Sequence, residues 1–200
     1  LPVWPPQAML QELMYFKRVG LKNICVFCAS KDGNNETLRV LAQELGEKIA
    51  LNGLGLVYGG AQIGLMGLVA DATLASAGEV IGVIPETLAD REVAHPDITS
   101  LIVTRDMHER KKKMYELADG FIALPGGMGT LEEIFEAATW TKLGMHLNSR
   151  YKPVVLLDDG KFWKGMTEFL DLQVSEGFVS QDSRDIVASA SSVDEAIRLV

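Results

Sequence analysis

Residues 23–60 read NICVFCASKDGNNETLRVLAQELGEKIALNGLGLVYGG. Two apolar runs, NICVFCAS and LGLVYGG, flank a segment in which Leu38, Leu41, Leu45 and Ile49 recur at helical spacing, and Asn52-Gly53 supplies a C-cap. The runs are continuous in Val, Ile and Leu rather than alternating, which predicts strands buried on both faces. A buried strand, a helix and a second buried strand make a parallel pair joined by a right-handed crossover.

The same grammar continues along the chain through EVIGVIP (79–85), SLIVTRD (100–106), GFIALPGG (120–127), PVVLLDD (153–159) and a weaker DIVASAS (185–191). Helical patterns lie between them, and SSVDEAIRLV closes the chain as a short helix with Ser192 and Glu195 at capping-box spacing. The fold class is therefore α/β: a single-domain, Rossmann-like, doubly wound parallel sheet with helices on both faces. No composition break, repeat or low-complexity tract marks a second domain. Residues 1–21 read as an N-terminal extension with a short helix over 7–18, and residues 22–200 as the domain.

Composition excludes several classes of partner. The 200 residues are 48% hydrophobic and 23% charged, a globular balance, and the net charge of −8 argues against nucleic acid or an anionic membrane. No apolar run is long enough to span a bilayer, and the N-terminal stretch has no basic segment ahead of an apolar core, so a cytoplasmic protein is expected. Cys25 and Cys28 have the spacing of a redox pair but lie inside an apolar strand, where they read as small buried hydrophobes. His95, His108 and His146 fall in no metal-binding pattern, and no metal is expected.

In open parallel sheets, ligands bind beyond the carboxyl ends of the strands, near the reversal of strand order. Ser30 ends the first strand there, Gly59, Gly60, Gly64 and Gly67 follow the second, and PGGMGT follows the fifth. Gly126, Gly127 and Gly129 can take positive φ and let backbone N–H groups converge on an anion at the start of a helix opening near Thr130. No Lys stands in P-loop position, and the dinucleotide fingerprint would put Glu132 at its third glycine.

Glu132 and Glu133, side by side after a turn of this kind, need a reason. Thr130-x-x-Glu133 fits a capping box. Alternatively, because helical neighbours point about 100° apart, one carboxylate faces a ligand while the other turns away. In RDMHERKKK (105–113), Asp106 is placed as an N-cap with Glu109 three residues on. Arg110 and Lys111 then fall early in a helix, the wrong end for cations by the dipole rule, and so read as anion ligands; Lys112 and Lys113 read as a solvated face.

PGGMGTLEE, MHERK, VFCAS, VYGGAQIGLMG, VIGVIPETL, REVAH and TWTKLG together resemble, in motif and in order, the LOG ("lonely guy") family of cytokinin riboside 5'-monophosphate phosphoribohydrolases, over roughly residues 22–185. The resemblance implies hydrolysis of the N-glycosidic bond of adenine-type nucleoside 5'-monophosphates, without a cofactor, by a homodimer. It implies Arg110 and Glu133 as the catalytic pair and a phosphate cradle of Gly126, Gly127, Met128, Gly129 and Thr130. Glu92, Met107, Lys111, Leu131 and Glu132, with Ser30, Gly59 and Gly60, complete the implied substrate contacts. Ile134, Phe135, Ala138 and Trp140 form an apolar stripe wider than one sheet face needs, in keeping with a dimer. The chain departs from the family pattern at Lys142, where Gln is common, at Asp158, where Asn is frequent, and in a longer segment over 146–163. The lysine decarboxylase label that some members carry finds no lysine in a recognisable pyridoxal phosphate setting. The competing reading is a nucleotide or molybdenum cofactor carrier on the same fold, which needs the glycine turn but not the Arg–Glu pair.

Overall fold

A computed structural model describes residues 20–89, 94–147 and 151–200. The predicted extension over 1–21, apart from its last two residues, and Glu92 of REVAH lie outside the described residues.

All seven strand-like runs form strands: β1 Asn23–Phe27, β2 Gly55–Tyr58, β3 Val80–Pro85, β4 Ser100–Thr104, β5 Gly120–Ala123, β6 Val154–Leu157 and β7 Val187–Ala190. The helices among the described residues are α1 Glu36–Leu51, α2 Gly64–Ala75, α3 Glu86–Ala89, α4 Met107–Leu117, α5 Met128–Lys142, α6 Lys164–Ser175, α7 Gln181–Arg184 and α8 Val193–Leu199. The strands make one sheet in the order β4-β3-β2-β1-β5-β6-β7, and every pairing is parallel.

Burial on both faces explains the continuous apolar runs. Ile24, Val26 and Cys28 join Leu45, Ile49, Leu56, Val69 and Ile197 in one core layer, whereas Cys25 and Phe27 join Tyr115, Phe121, Ile134 and Leu156 in the other. Side chains alternate along a strand, so three residues of separation send Cys25 and Cys28 to opposite faces. Both are free thiols, and that geometry rules out pairing between them.

Caps fall largely where the sequence places them. Asn52 caps the end of α1 and Gly53 follows at φ 68°. Asp106 accepts the Glu109 amide at 2.8 Å and opens α4, and Ser192 accepts the Glu195 amide and opens α8. The chain winds to one side of β1 through β2, β3 and β4, then returns to its other side at β5. This reversal leaves a crevice between the carboxyl ends of β1 and β5, the expected ligand position in a doubly wound sheet.

Candidate functional site

A cleft of about 830 Å³ opens at this crevice. Its floor and walls include Ser30, Gly59, Met107, Arg110, Glu132 and Glu133. Gly126, Gly127, Met128, Gly129 and Thr130 form the wall that follows β5. Of the residues singled out in the sequence, Gly60, Lys111 and Leu131 sit beside the cleft without lining it.

The glycine turn works differently from its sequence expectation. None of Gly126, Gly127 and Gly129 has positive φ; Gly127 sits at φ −96°. Space is the reason for Gly126, because a Cβ there would lie 2.1 Å from the Thr130 hydroxyl oxygen. At Gly127 and Gly129 a Cβ would meet nothing within 4 Å, so what the glycines provide there is open access to backbone. The capping-box reading of Thr130 and Glu133 also fails: α5 begins at Met128 with Gly127 as its N-cap, and no side chain caps it. Thr130 and Glu133 are buried within the helix, and the orphan amides of the first turn belong to residues 127–130, on the cleft wall. A helix start with free amides and its positive dipole end is a receptor for an anion.

Arg110 is 6% exposed, which demands partners for its charge. Its Nε donates to the Val83 carbonyl at 2.9 Å, and its Nη2 to the Gly59 carbonyl at 3.2 Å. The guanidinium therefore sits across the carboxyl ends of β2 and β3, which explains a cation so early in α4. It also explains Gly59, where a Cβ would collide with Arg110 Nη2 at 2.2 Å. Arg110 and Glu133 both act electrostatically on Cys28 at the end of β1: burial raises its thiol pKa most, Glu133 raises it further, and Arg110 opposes. Opposite charges on two helices thus converge on one strand end in the floor of the cleft.

The two adjacent carboxylates divide their tasks. Glu132 pairs with Lys111, whose Nζ also meets Glu136 Oε2 at 3.0 Å, while Glu133 lines the cleft, nearly buried. Burial works against the Lys111 charge, and the hydrogen bonds its ammonium donates to Glu132 and Glu136 outweigh it, so its pKa is raised. Lys111 is thus neutralised by two carboxylates rather than lying open to an anion.

Two loops that sequence reasoning passed over complete the cleft. Residues 31–35 follow β1, and Asp159, Lys161 and Phe162 follow β6. Asn35 Nδ2 donates to Asp159 at 3.4 Å and joins the two loops. Asp158, the departure from Asn, accepts the Lys161 and Trp163 amides at 2.9 and 3.1 Å, and an asparagine oxygen could accept both as well. The signal was available: both loops lie at the carboxyl ends of strands. Among the described residues, no group of three or more His, Cys, Asp or Glu could hold a metal, and no helix is long and apolar enough to cross a membrane.

Comparison with known proteins agrees with this fold. Residues 66–200 match the family model described as "Possible lysine decarboxylase". The cytokinin riboside 5'-monophosphate phosphoribohydrolase of Rhodococcoides fascians is 44% identical over 180 residues, covering 90% of this chain and 89% of that one. LOG1 of Arabidopsis thaliana, with the same activity in its name, is 44% identical over 177 residues, 88% of this chain and 81% of its own. Among solved structures, the molybdenum cofactor carrier protein of Chlamydomonas reinhardtii superposes with a TM-score of 0.65 at 25% identity, covering 89% of this chain and 94% of that one. With motifs, fold and close sequence similarity over most of its length in agreement, the chain belongs to the LOG family of cytokinin riboside 5'-monophosphate phosphoribohydrolases, the group whose family model carries the lysine decarboxylase description.

Proposed function

We propose that the protein hydrolyses the N-glycosidic bond of adenine-type nucleoside 5'-monophosphates, cytokinin riboside 5'-monophosphates or AMP, to free base and ribose 5-phosphate. The observation that carries this reading is the buried pair, Arg110 and Glu133, beside the open first turn of α5. The 5'-phosphate sits on the amides of Gly127 to Thr130, and its charge meets the helix dipole.

The ribose then lies over the cleft floor, where Glu133 faces C1'. Breaking the C1'–N bond sends its electron pair to the base and builds positive charge on the sugar, which a nearby carboxylate stabilises. Water forms the new bond to C1'. One of its protons stays on the ribose hydroxyl, and the other passes through Glu133 to the departing base. Arg110, held by the Val83 carbonyl of β3 and the Gly59 carbonyl just past β2, donates its remaining N–H groups to substrate.

Two alternatives differ in what they require of these residues. A carrier on the same fold would need the glycine turn but not a buried Arg–Glu pair. Schiff-base chemistry needs a free amine, whereas the buried lysines Lys111 and Lys152 are both engaged as donors, the latter to the Tyr115 and Ala118 carbonyls. Chromatography of products from AMP and an N6-prenylated AMP tests the proposal: release of free base supports it, and equilibrium binding of both without release would move the chain to the carrier reading.

The same reading takes the protein to be a cytoplasmic homodimer with α5 near the interface. Phe135 on α5 and Leu143 and Met145 just beyond it are exposed, whereas Trp140 packs edge-on to Tyr115 at 5.2 Å. Sedimentation at micromolar concentration is expected to give a dimer. A monomer would refute it.

A further inference from the structure

Four side chains, of which Glu132 alone lines the cleft, tie α4 to α5. Lys111 bonds Glu132 and, at 3.0 Å, Glu136, and Glu136 Oε2 also accepts the Tyr115 hydroxyl at 2.7 Å. Lys111 and Tyr115 are one turn apart on α4, and Glu132 and Glu136 are one turn apart on α5, so the four meet as two facing pairs. The buried members are Lys111 and Tyr115, with side chains that cannot swing to other partners without leaving the packed layer.

Each end of this tie adjoins a reacting group. Arg110 precedes Lys111, and Glu133 follows Glu132. The tie therefore sets how far each helix is rotated about its own axis, and with it where the guanidinium and the carboxylate sit. A turn of α5 by roughly 10°, acting on a side chain about 6 Å from the axis, moves Glu133 by about 1 Å. Displacements of that size cost up to about 100-fold in rate.

We propose that Glu136, which lies outside the PGGMGTLEE motif and does not line the cleft, is a positioning residue for the Arg110 and Glu133 pair. Glu136 acts through Lys111. It fixes the Lys111 ammonium in place, and that cation in turn holds Glu132 against α4 and leaves Glu133 as the carboxylate turned to the ribose. The inference rests on the hydrolase reading, since positioning has meaning only for a reacting pair.

The test is steady-state base release from AMP by the full chain and by Glu136→Gln, which keeps shape and removes charge. The expected result is a kcat lower by about 10- to 100-fold with KM within about twofold, since the phosphate cradle is untouched. In the Glu133→Gln background, the same substitution should add little, because the group being positioned is already gone. A merely structural role would instead lower the melting temperature and leave kcat per folded molecule unchanged, and that result would overturn the proposal, as would full additivity with Glu133→Gln. Should Glu136→Gln fail to fold, Tyr115→Phe removes one of the two donors to the same oxygen and should lower kcat in the same sense by less; an unchanged kcat there would overturn the proposal. Failure of the wild-type chain to release base would defeat the hydrolase reading and this inference together, whereas wild-type release with an unaltered Glu136→Gln enzyme would defeat this inference alone.

Discussion

At its N-terminal end α4 carries Arg110 and Lys111, and against its C-terminal end lies Lys152, whose Nζ donates to the Tyr115 and Ala118 carbonyls at 2.7 and 2.5 Å. All three cations are buried, yet they obey opposite rules. Lys152 meets the negative end of the helix dipole and satisfies carbonyls that the last turn leaves orphaned. Arg110 and Lys111 sit at the positive end, and other groups have to hold them there: the Val83 and Gly59 carbonyls for Arg110, two carboxylates for Lys111. A buried charge placed with the local electrostatics needs only a structural reason. One placed against them needs partners built to hold it, as the carbonyls around Arg110 and the carboxylates around Lys111 do.

Substitutions at the two ends should accordingly separate activity from stability. The largest effect belongs to the site end, where Glu133 of α5 lines the cleft together with Arg110 of α4. Glu133→Gln should lower kcat by about 10²–10⁴, the scale of a positioned acid–base group, with an unchanged melting temperature. Near-normal turnover in the folded variant would return Glu133 to a structural role.

At the other end the expectation reverses. Lys152→Met leaves the Tyr115 and Ala118 carbonyls without their donor, which should cost about 2–3 kcal/mol of stability in urea unfolding while kcat per folded molecule stays the same. A large loss of kcat there would erase the distinction between the two ends.

A smaller effect concerns His146, buried beside Thr141 and close enough to Lys152 to feel its charge. Burial first, and the Lys152 charge second, hold its pKa down to about 4 from 6.5. The unfolded chain takes up this proton near pH 6.5 and the folded chain does not until about 4, so stability is full above pH 6.5 and falls as pH drops toward 4. Urea midpoints between pH 7 and 5 should fall less steeply in His146→Gln than in the wild type. Equal slopes would show that His146 titrates alike in both states.

The sheet was legible because its strands are buried on both faces, and runs such as VVLL and GFIA carry no competing signal. The glycine turn and Arg110 were legible for a related reason, since each breaks a local rule. The start of α5 was misread because Thr130 and Glu133 mimic a capping box at the right spacing, while the true N-cap, Gly127, has no side chain to announce it. The roles of the turn's glycines were misread because clearance from Thr130 and exposure of backbone leave no mark on sequence that differs from positive φ. Lys111 with Glu136, and Lys152 with Ala118, are contacts between elements, and no periodicity within one element encodes them.

A phosphate cradle that places the glycosidic bond over Glu133 makes cleavage depend on the 5'-phosphate, and base release from adenosine and from AMP at equal concentration measures that dependence. Charge-assisted hydrogen bonds contribute about 1.5–3 kcal/mol each, so losing two or three should cost on the order of 4–6 kcal/mol. The predicted result is a kcat/KM for adenosine roughly 10³–10⁴ below that for AMP. Adenosine cleaved as fast as AMP would leave the cradle without a role and make the protein a general nucleoside hydrolase.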